Sequence, residues 1–346
     1  MARRRARGRR RKGSRTGSVL SLLLLAALAA GGTGIWMARA PYGPSTETFV
    51  EIEPGFSTAR IAQRLEQAGV VRSRFVFDLL RWMRRGTLRA GEYRFDHPAS
   101  MTEVYDRIAR GDVFTRTLIV PEGANIFDIA TRVEQAGFGA RQAFLSAAIG
   151  NAGWIADIDP EAKSLEGYLF PDTYRFPRRT TAAQIAAAMV RRFRAVAAQL
   201  GLKEDVHAVV TMASLVERET AVDAERPLVA SVYENRLKKK MPLMADPSVI
   251  YGLELNGMWR GAIYQSDLTR DTTYNTYLHP GLPPGPVANP GIRSLRAAME
   301  PARTDYLYFV AAGDNPQGRS LFSNTLDEHR RDVADYRRAT KKAGAR

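Results

Sequence analysis

The 346-residue chain contains no cysteine and only four histidines, His97, His207, His279 and His329. Without thiols it forms neither disulfides nor thiolate metal sites. No two histidines stand in an H-x-x-x-H pair, so a histidine metal site has no ligand set either. A Gly-rich phosphate loop, a G-x-S-x-G elbow and a Walker motif are all missing, which removes the common nucleotide and serine-hydrolase signatures. No metal or cofactor is called for. Acidic residues are absent from the first fifteen positions, which hold nine basic ones, and from residues 337–346, which hold five more. These two tails carry nearly all of the net charge of +15, and the body between them is close to neutral. No broad basic face is left to follow a phosphate backbone, so nucleic acid is not an expected partner.

Directly after the basic head comes a long uncharged run from Thr16 to Ala38, centred on Val19-Leu20-Ser21-Leu22-Leu23-Leu24-Leu25. About 20 apolar residues cross the hydrocarbon layer of a bilayer. An arginine-rich segment before a single span fixes that end in the cytoplasm. The expected layout is a cytoplasmic tail over 1–15, a transmembrane helix over 16–38 and a linker over 39–48 holding Pro41 and Pro44. The rest lies outside the cytoplasm, in the periplasm, with the chain fixed to the inner membrane. Ala38-Arg39-Ala40 offers the rival reading of a cleaved signal peptide, although a signal core is usually shorter than this run.

The exported part reads as α+β. A repeat recurs at an offset of 68 residues. Its first copy is Ile52-Glu53-Pro54-Gly55 followed by Ile61 to Gly69, and its second is Val120-Pro121-Glu122-Gly123 followed by Ile129 to Gly137. Each copy predicts a short strand, a glycine turn and a helix closed by a glycine. Between them, residues 74–84 have helical spacing, 91–95 alternate like a strand, and 101–109 form a helix opened by Ser100 and closed at Gly111. Residues 49–115 therefore form a small α+β module, similar to the LysM modules that bind glycan chains. Residues 116–336 form a larger mixed domain, and 337–346 a basic C-terminal tail. In the larger domain helices are expected over 125–136, 141–149, 181–200, 205–219, 224–238 and 325–340, and strands over 118–120, 165–170, 306–312 and 319–323.

One carboxylate breaks the pattern of its helix. Wound at about 100° per residue, Val206, Val209, Val210, Ala213 and Val216 share a stripe, and Glu217 falls within it while Arg218 and Glu219 point elsewhere. A carboxyl group on an apolar face holds its proton more tightly than in water, as a general acid near neutral pH requires. The same position also suits a buried Glu paired to one of the arginines. Further segments look like site material: Leu165 to Tyr174, Met244 to Tyr251, Tyr274-Asn275-Thr276-Tyr277 and the proline-stiffened loop Gly281 to Gly291. Aromatic rings on stiff loops suit pyranose faces, and Asn or Asp reads sugar hydroxyls.

Taken in order, Glu166-Gly167-Tyr168-Leu169-Phe170-Pro171-Asp172-Thr173-Tyr174, Ala213-Ser214-Leu215-Val216-Glu217-Arg218-Glu219-Thr220, Asp246-Pro247-Ser248-Val249-Ile250-Tyr251-Gly252, Tyr274-Asn275-Thr276-Tyr277 and Gly281-Leu282-Pro283-Pro284-Gly285-Pro286 resemble the YceG-like family of endolytic murein transglycosylases. The resemblance implies a single-pass inner-membrane enzyme that cuts nascent peptidoglycan glycan strands within the chain. It also implies association with penicillin-binding protein synthases and assigns the catalytic role to Glu217. A lytic transglycosylase needs one acid/base group, because the MurNAc 6-hydroxyl of the substrate serves as nucleophile and leaves a 1,6-anhydro end. Ser214, Tyr168, Asp172, Asp246, Asn275 and Tyr277 are candidates for substrate binding. Glu166 and Glu219 are candidates for support, with Glu219 expected to pair with an arginine. Two other readings stay open: a non-catalytic membrane-anchored peptidoglycan-binding scaffold, and a hydrolase of the same bond. The hydrolase needs a second carboxylate beside Glu217, for which Glu166, Asp172 and Asp246 are available.

Overall fold

The computed structural model describes residues 15–312 and 318–343. The basic head over 1–14 and the last three residues of the basic tail lie outside the described residues. The chain divides into two units after Thr115.

The first unit opens with helix α1 (Arg15–Arg39). Among the described residues one helix is long and apolar enough to cross a membrane, Val19–Arg39. The expected linker is tied down at Tyr42, whose backbone exchanges hydrogen bonds with that of Ala99 at 2.9 and 3.0 Å. The module then runs β1 (Thr48–Ile52), α2 (Thr58–Gln67), α3 (Arg74–Arg84), β2 (Gly91–Phe95) and α4 (Met101–Arg110). β1 and β2 pair antiparallel with Val50 opposite Tyr93. The Ser57 and Ser100 hydroxyls accept the Arg60 and Glu103 backbone N–H groups and cap α2 and α4, satisfying donors the helix itself leaves open. Val50, Leu65, Phe77, Tyr93 and Ile108 fill the core.

The second unit comprises β3 (Arg116–Ile119), α5 (Ile126–Gln135), α6 (Arg141–Gly150), β4 (Thr173–Phe176), α7 (Ala182–Leu200), α8 (Val206–Glu219), α9 (Arg226–Lys238), α10 (Asp246–Leu255), α11 (Gln265–Leu268), α12 (Ile292–Met299), β5 (Tyr308–Ala311), β6 (Ser320–Ser323) and α13 (Leu326–Ala343). β3 pairs with β4 and β5 with β6, both antiparallel. α8 lies between two apolar cores. Val206, Val210 and Ala213 face the one built on α5, α6 and α7, while Met212, Leu215 and Val216 face the one shared with α9 and α10. The helix is therefore buried on all sides along its centre.

The repeat has one copy in each unit. Gly55 and Gly123 turn with φ of 86° and 77°, and Gly69 and Gly137 follow the helices with φ of 69° and 77°. Such angles suit residues without a Cβ. Ile61, Ala62 and Leu65 of α2 and Ile129, Ala130 and Val133 of α5 are buried at matching offsets.

Three expectations need correction. Residues 165–170 form a turn rather than a strand, with Leu165, Tyr168 and Leu169 all fully buried; the strand comes after Pro171-Asp172, as β4. α10 arises from a segment read as a loop, and α12 from residues 292–299, for which the sequence predicted no element. Pro247 stands in the first turn of α10, where a missing N–H costs nothing. The C-terminal basic residues Arg337 and Arg338 continue α13 instead of forming a separate tail.

Candidate active site

α8 ends with two carboxylates two residues apart, and they lie in different surroundings. The Glu217 side chain is only 4% exposed. Its Oε1 accepts from Arg226 Nη1 at 2.7 Å and its Oε2 from the Gly291 N–H at 2.9 Å. Arg226 is itself buried and also donates to Ser294 Oγ at 2.6 Å and to Asp223 Oδ1 at 3.2 Å. Of the two readings open for Glu217, its geometry matches the carboxylate paired to arginine. The pair ties α8, α9 and α12 together. Glu122, from the turn of the second repeat copy, packs its carboxylate against Gly291, where a Cβ would collide with it. Burial and then the charge of Glu217 push the Glu122 pKa up. Among the described residues this turn carries a carboxylate beside Glu217 that the motifs did not mark. The only sequence signal was the changed order Pro121-Glu122, where the first copy has Glu53-Pro54.

Glu219 opens into a cleft of about 360 Å³. Its Oε1 accepts from the Tyr233 hydroxyl at 2.7 Å, so its expected arginine partner is corrected to a tyrosine. Burial pushes its pKa up to about 7, the hydrogen bond from Tyr233 opposes the rise, and the negative charge of Asp246 adds to it. Asp246, in the first turn of α10, and Tyr277 line the same cleft. The Tyr277 hydroxyl donates to Asp246 Oδ1 at 2.6 Å. Met244, two residues before Asp246, holds a left-handed φ of 53°, a strained turn for a residue with a side chain.

Aromatic groups complete the walls. Tyr308 and Phe309 come from β5 and His329 from α13. The His329 imidazole stacks on the Tyr308 ring at 5.1 Å and 19°. The Arg236 guanidinium lies over the Tyr308 ring, 5.3 Å from its centroid, and its donors go to the Leu307 and Leu243 carbonyls at 2.7 Å each. Arg236 thus fixes the cleft walls. Tyr233, Arg236, Tyr308 and His329 carry no spacing rule that could have linked them to Glu219 in advance.

The other sequence candidates lie elsewhere. Tyr168 is fully buried, with its ring edge-on to Phe193 at 5.0 Å and its hydroxyl on Asp159, so it cannot stack on a sugar. Ser214 is also fully buried; it donates to the Thr211 carbonyl at 2.7 Å and accepts the Val287 N–H at 3.0 Å, holding the proline-rich loop. Asn275 is buried and clamps its own loop by donating to the Leu268 and Arg270 carbonyls at 3.0 and 2.8 Å. Glu166 lies at the start of α5, accepting the Ile126 N–H at 2.9 Å and an Asn289 N–H at 2.7 Å. Burial raises its pKa to about 8. Asp172 pairs with Arg192 at 2.8 Å. Glu219, Asp246 and Tyr277 are therefore the candidates that meet in one cleft. An acid titrating near 7 beside a second carboxylate and aromatic walls can deliver and recover a proton on a bound sugar.

Known proteins give this site a context. The model of the YceG-like family matches residues 50–335. The chain is 32% identical over 314 residues to an endolytic murein transglycosylase of Bacillus subtilis, covering 84% of this chain and 85% of that one. It is 28% identical over 361 residues to an endolytic murein transglycosylase of Streptococcus pneumoniae, covering 91% of this chain and 64% of that one. Among solved structures it is similar to a YceG-like protein of Listeria monocytogenes, with a TM-score of 0.54 and 31% identity over 83% of this chain and 99% of that one.

Proposed function

Because this chain belongs to the YceG-like family, we propose that it is an endolytic murein transglycosylase whose acid/base group is Glu219. The observation that carries the assignment is the cleft: Glu219 holds its proton to about pH 7 and faces the same space as Asp246, Tyr277 and Tyr308. Glu217, the residue the motif first suggested, has both carboxylate oxygens engaged by Arg226 and Gly291. These contacts hold the end of α8 in place.

The protonated Glu219 carboxyl donates to the glycosidic oxygen between MurNAc and GlcNAc, and the C1–O bond breaks. Positive charge builds at C1 and the ring oxygen, where the Asp246 carboxylate provides electrostatic stabilisation. Glu219, now a carboxylate, takes the proton of the MurNAc 6-hydroxyl. O6 closes on C1, giving a 1,6-anhydro end and restoring the acid. No water is consumed. The Tyr233 hydroxyl fixes the direction of Glu219, and Tyr277 does the same for Asp246. Proton transfer by a positioned group contributes roughly 10²–10⁴-fold.

Asp246 supports a second reading, since a second carboxylate beside the acid could activate water and make the enzyme a hydrolase. Mass analysis of the ends formed on purified glycan strands decides between them. Anhydro ends support transglycosylation, reducing ends make the enzyme a hydrolase, and uncut strands contradict both. The strand–helix–helix–strand order of the first unit supports a LysM-like, glycan-binding role for it. α1, with its basic head, supports an inner-membrane anchor with the N-terminus in the cytoplasm and the cleft in the periplasm. That side of the membrane is where we place its proposed partners, the penicillin-binding protein synthases.

A further inference from the structure

We propose that the outer face of α3 is a membrane-docking surface that sinks into the same leaflet from which α1 emerges. The inference rests on reading α1 as a membrane span and extends that reading to the folded module. α3 buries Phe77 and packs Val76 and Leu80 against the core of its unit. Its other side carries Phe75, Leu79, Trp82 and Met83, exposed by 70%, 55%, 69% and 67%. These positions follow i, i+4, i+7 and i+8, which is one continuous stripe on a helix. Four large apolar side chains on one stripe are costly in water and mark a surface that something covers.

The neighbouring element indicates what covers it. α3 lies beside α1, and the two enclose an open cavity of about 480 Å³ between Gly31, Gly34 and Ile35 on one side and Leu79, Leu80 and Met83 on the other. Its walls are those of a slot for an acyl chain. At 1.5 Å per residue the span Val19–Arg39 is about 31 Å long, so Gly31 to Ile35 lie in its second half, toward the end from which the folded module follows. Trp36 and Tyr42 follow at the depth where aromatic rings gather, and the Arg72 guanidinium stacks on both, 4.7 Å from each centroid. Arg85 is exposed beside the stripe, while Arg84 pairs with Asp106. Arginine stems lie along apolar surface while their heads reach lipid phosphates. An interfacial helix has this composition, with aromatic and aliphatic groups on one face and arginines at its border. Docked in this way, the first unit does not swing freely at the end of its anchor.

The absence of cysteine makes single-site labelling direct. The full chain is reconstituted in vesicles of phosphatidylethanolamine and phosphatidylglycerol with one nitroxide at Leu79→Cys, Phe75→Cys, Leu24→Cys or Glu53→Cys. Collisions with oxygen, which enters lipid, are compared with collisions with a nickel chelate, which stays in water. At positions 79 and 75 the oxygen-to-nickel ratio should exceed that at Glu53→Cys several-fold and approach that at Leu24→Cys. If position 24 reads as lipid and both α3 positions read as water, docking is overturned while the anchor stands. If neither collider reaches the α3 positions, the face is covered by protein, and docking to lipid is again overturned. A watery reading at position 24 removes the anchor and the docking together.

Discussion

On the proposed assignment, the charge state of Glu219 decides how the site works. Burial, aided by the charge of Asp246, pushes the Glu219 pKa up to about 7. The rate of cleavage at low substrate should therefore fall as pH rises through about 7, because the acid is lost. The folded-state pKa lies above the ordinary glutamate value of 4.5, so the native state binds the proton more tightly than the unfolded chain. The resulting stability is complete below about pH 4.5 and is lost as pH rises toward 7, amounting to at most about 3 kcal/mol. Melting curves of the protein and of Glu219→Gln should thus converge in acid and separate near neutrality, with the variant the more stable. Curves that stay parallel from pH 4 to 8 contradict the burial of an ionisable group there. At this scale the sequence was only partly legible. Helical phase set Glu217 on a stripe and Glu219 off it, but that reasoning assumes one buried face. α8 is buried on all sides between two cores, so phase could not say which carboxylate meets solvent. Asp246 and Tyr277, candidates from their motifs, share a cleft with Glu219. Tyr168, Ser214 and Asn275 stood in equally suggestive motifs and are fully buried.

At the scale of elements, periodicity and caps were reliable guides, and long-range packing was not. α5, α7 and α9 lie within about two residues of their expected bounds, the scatter normal for helix ends, because apolar spacing and polar caps are local properties. The stretch 165–170 looked like a strand from its apolar run, yet it is a turn whose apolar side chains, Leu165, Tyr168, Leu169 and Phe170, all join one core. Gly167 shows why it turns: its φ is 87°, and a Cβ there would lie 2.5–2.6 Å from the Pro286 ring and 2.8 Å from Val210. A ring fixed to the backbone cannot move aside. Gly167→Ala should therefore lose about 2–5 kcal/mol, combining the cost of left-handed backbone with that of overpacking. Chemical denaturation checks the value. A loss below about 0.5 kcal/mol, the size of an ordinary surface substitution, would show that the turn is free to relax.

At the scale of the whole molecule, the sequence placed an apolar helix before an α+β chain, and α1 with the two folded units follows that order. The second repeat copy supplies the turn that brings Glu122 to Gly291, so duplicated material serves as core in one unit and as site support in the other. The retained anchor carries its own expectation. Protein taken from membranes should have the full mass of 38.4 kDa, and a product lacking about the first 40 residues identifies a cleaved signal instead.

The central claim, that Glu219 rather than Glu217 moves the proton, is tested most directly by single-turnover cleavage of purified glycan strands by the Glu219→Gln and Glu217→Gln variants, each normalised to its folded fraction. Glu219→Gln should lose about 10²–10⁴-fold in rate while remaining folded. Glu217→Gln should keep its rate within about tenfold but melt earlier, because it leaves the buried Arg226 with only the half-exposed Asp223 as counter-charge, a loss of at most about 3–5 kcal/mol. Loss of turnover in a fully folded Glu217→Gln, with Glu219→Gln still active, contradicts the assignment.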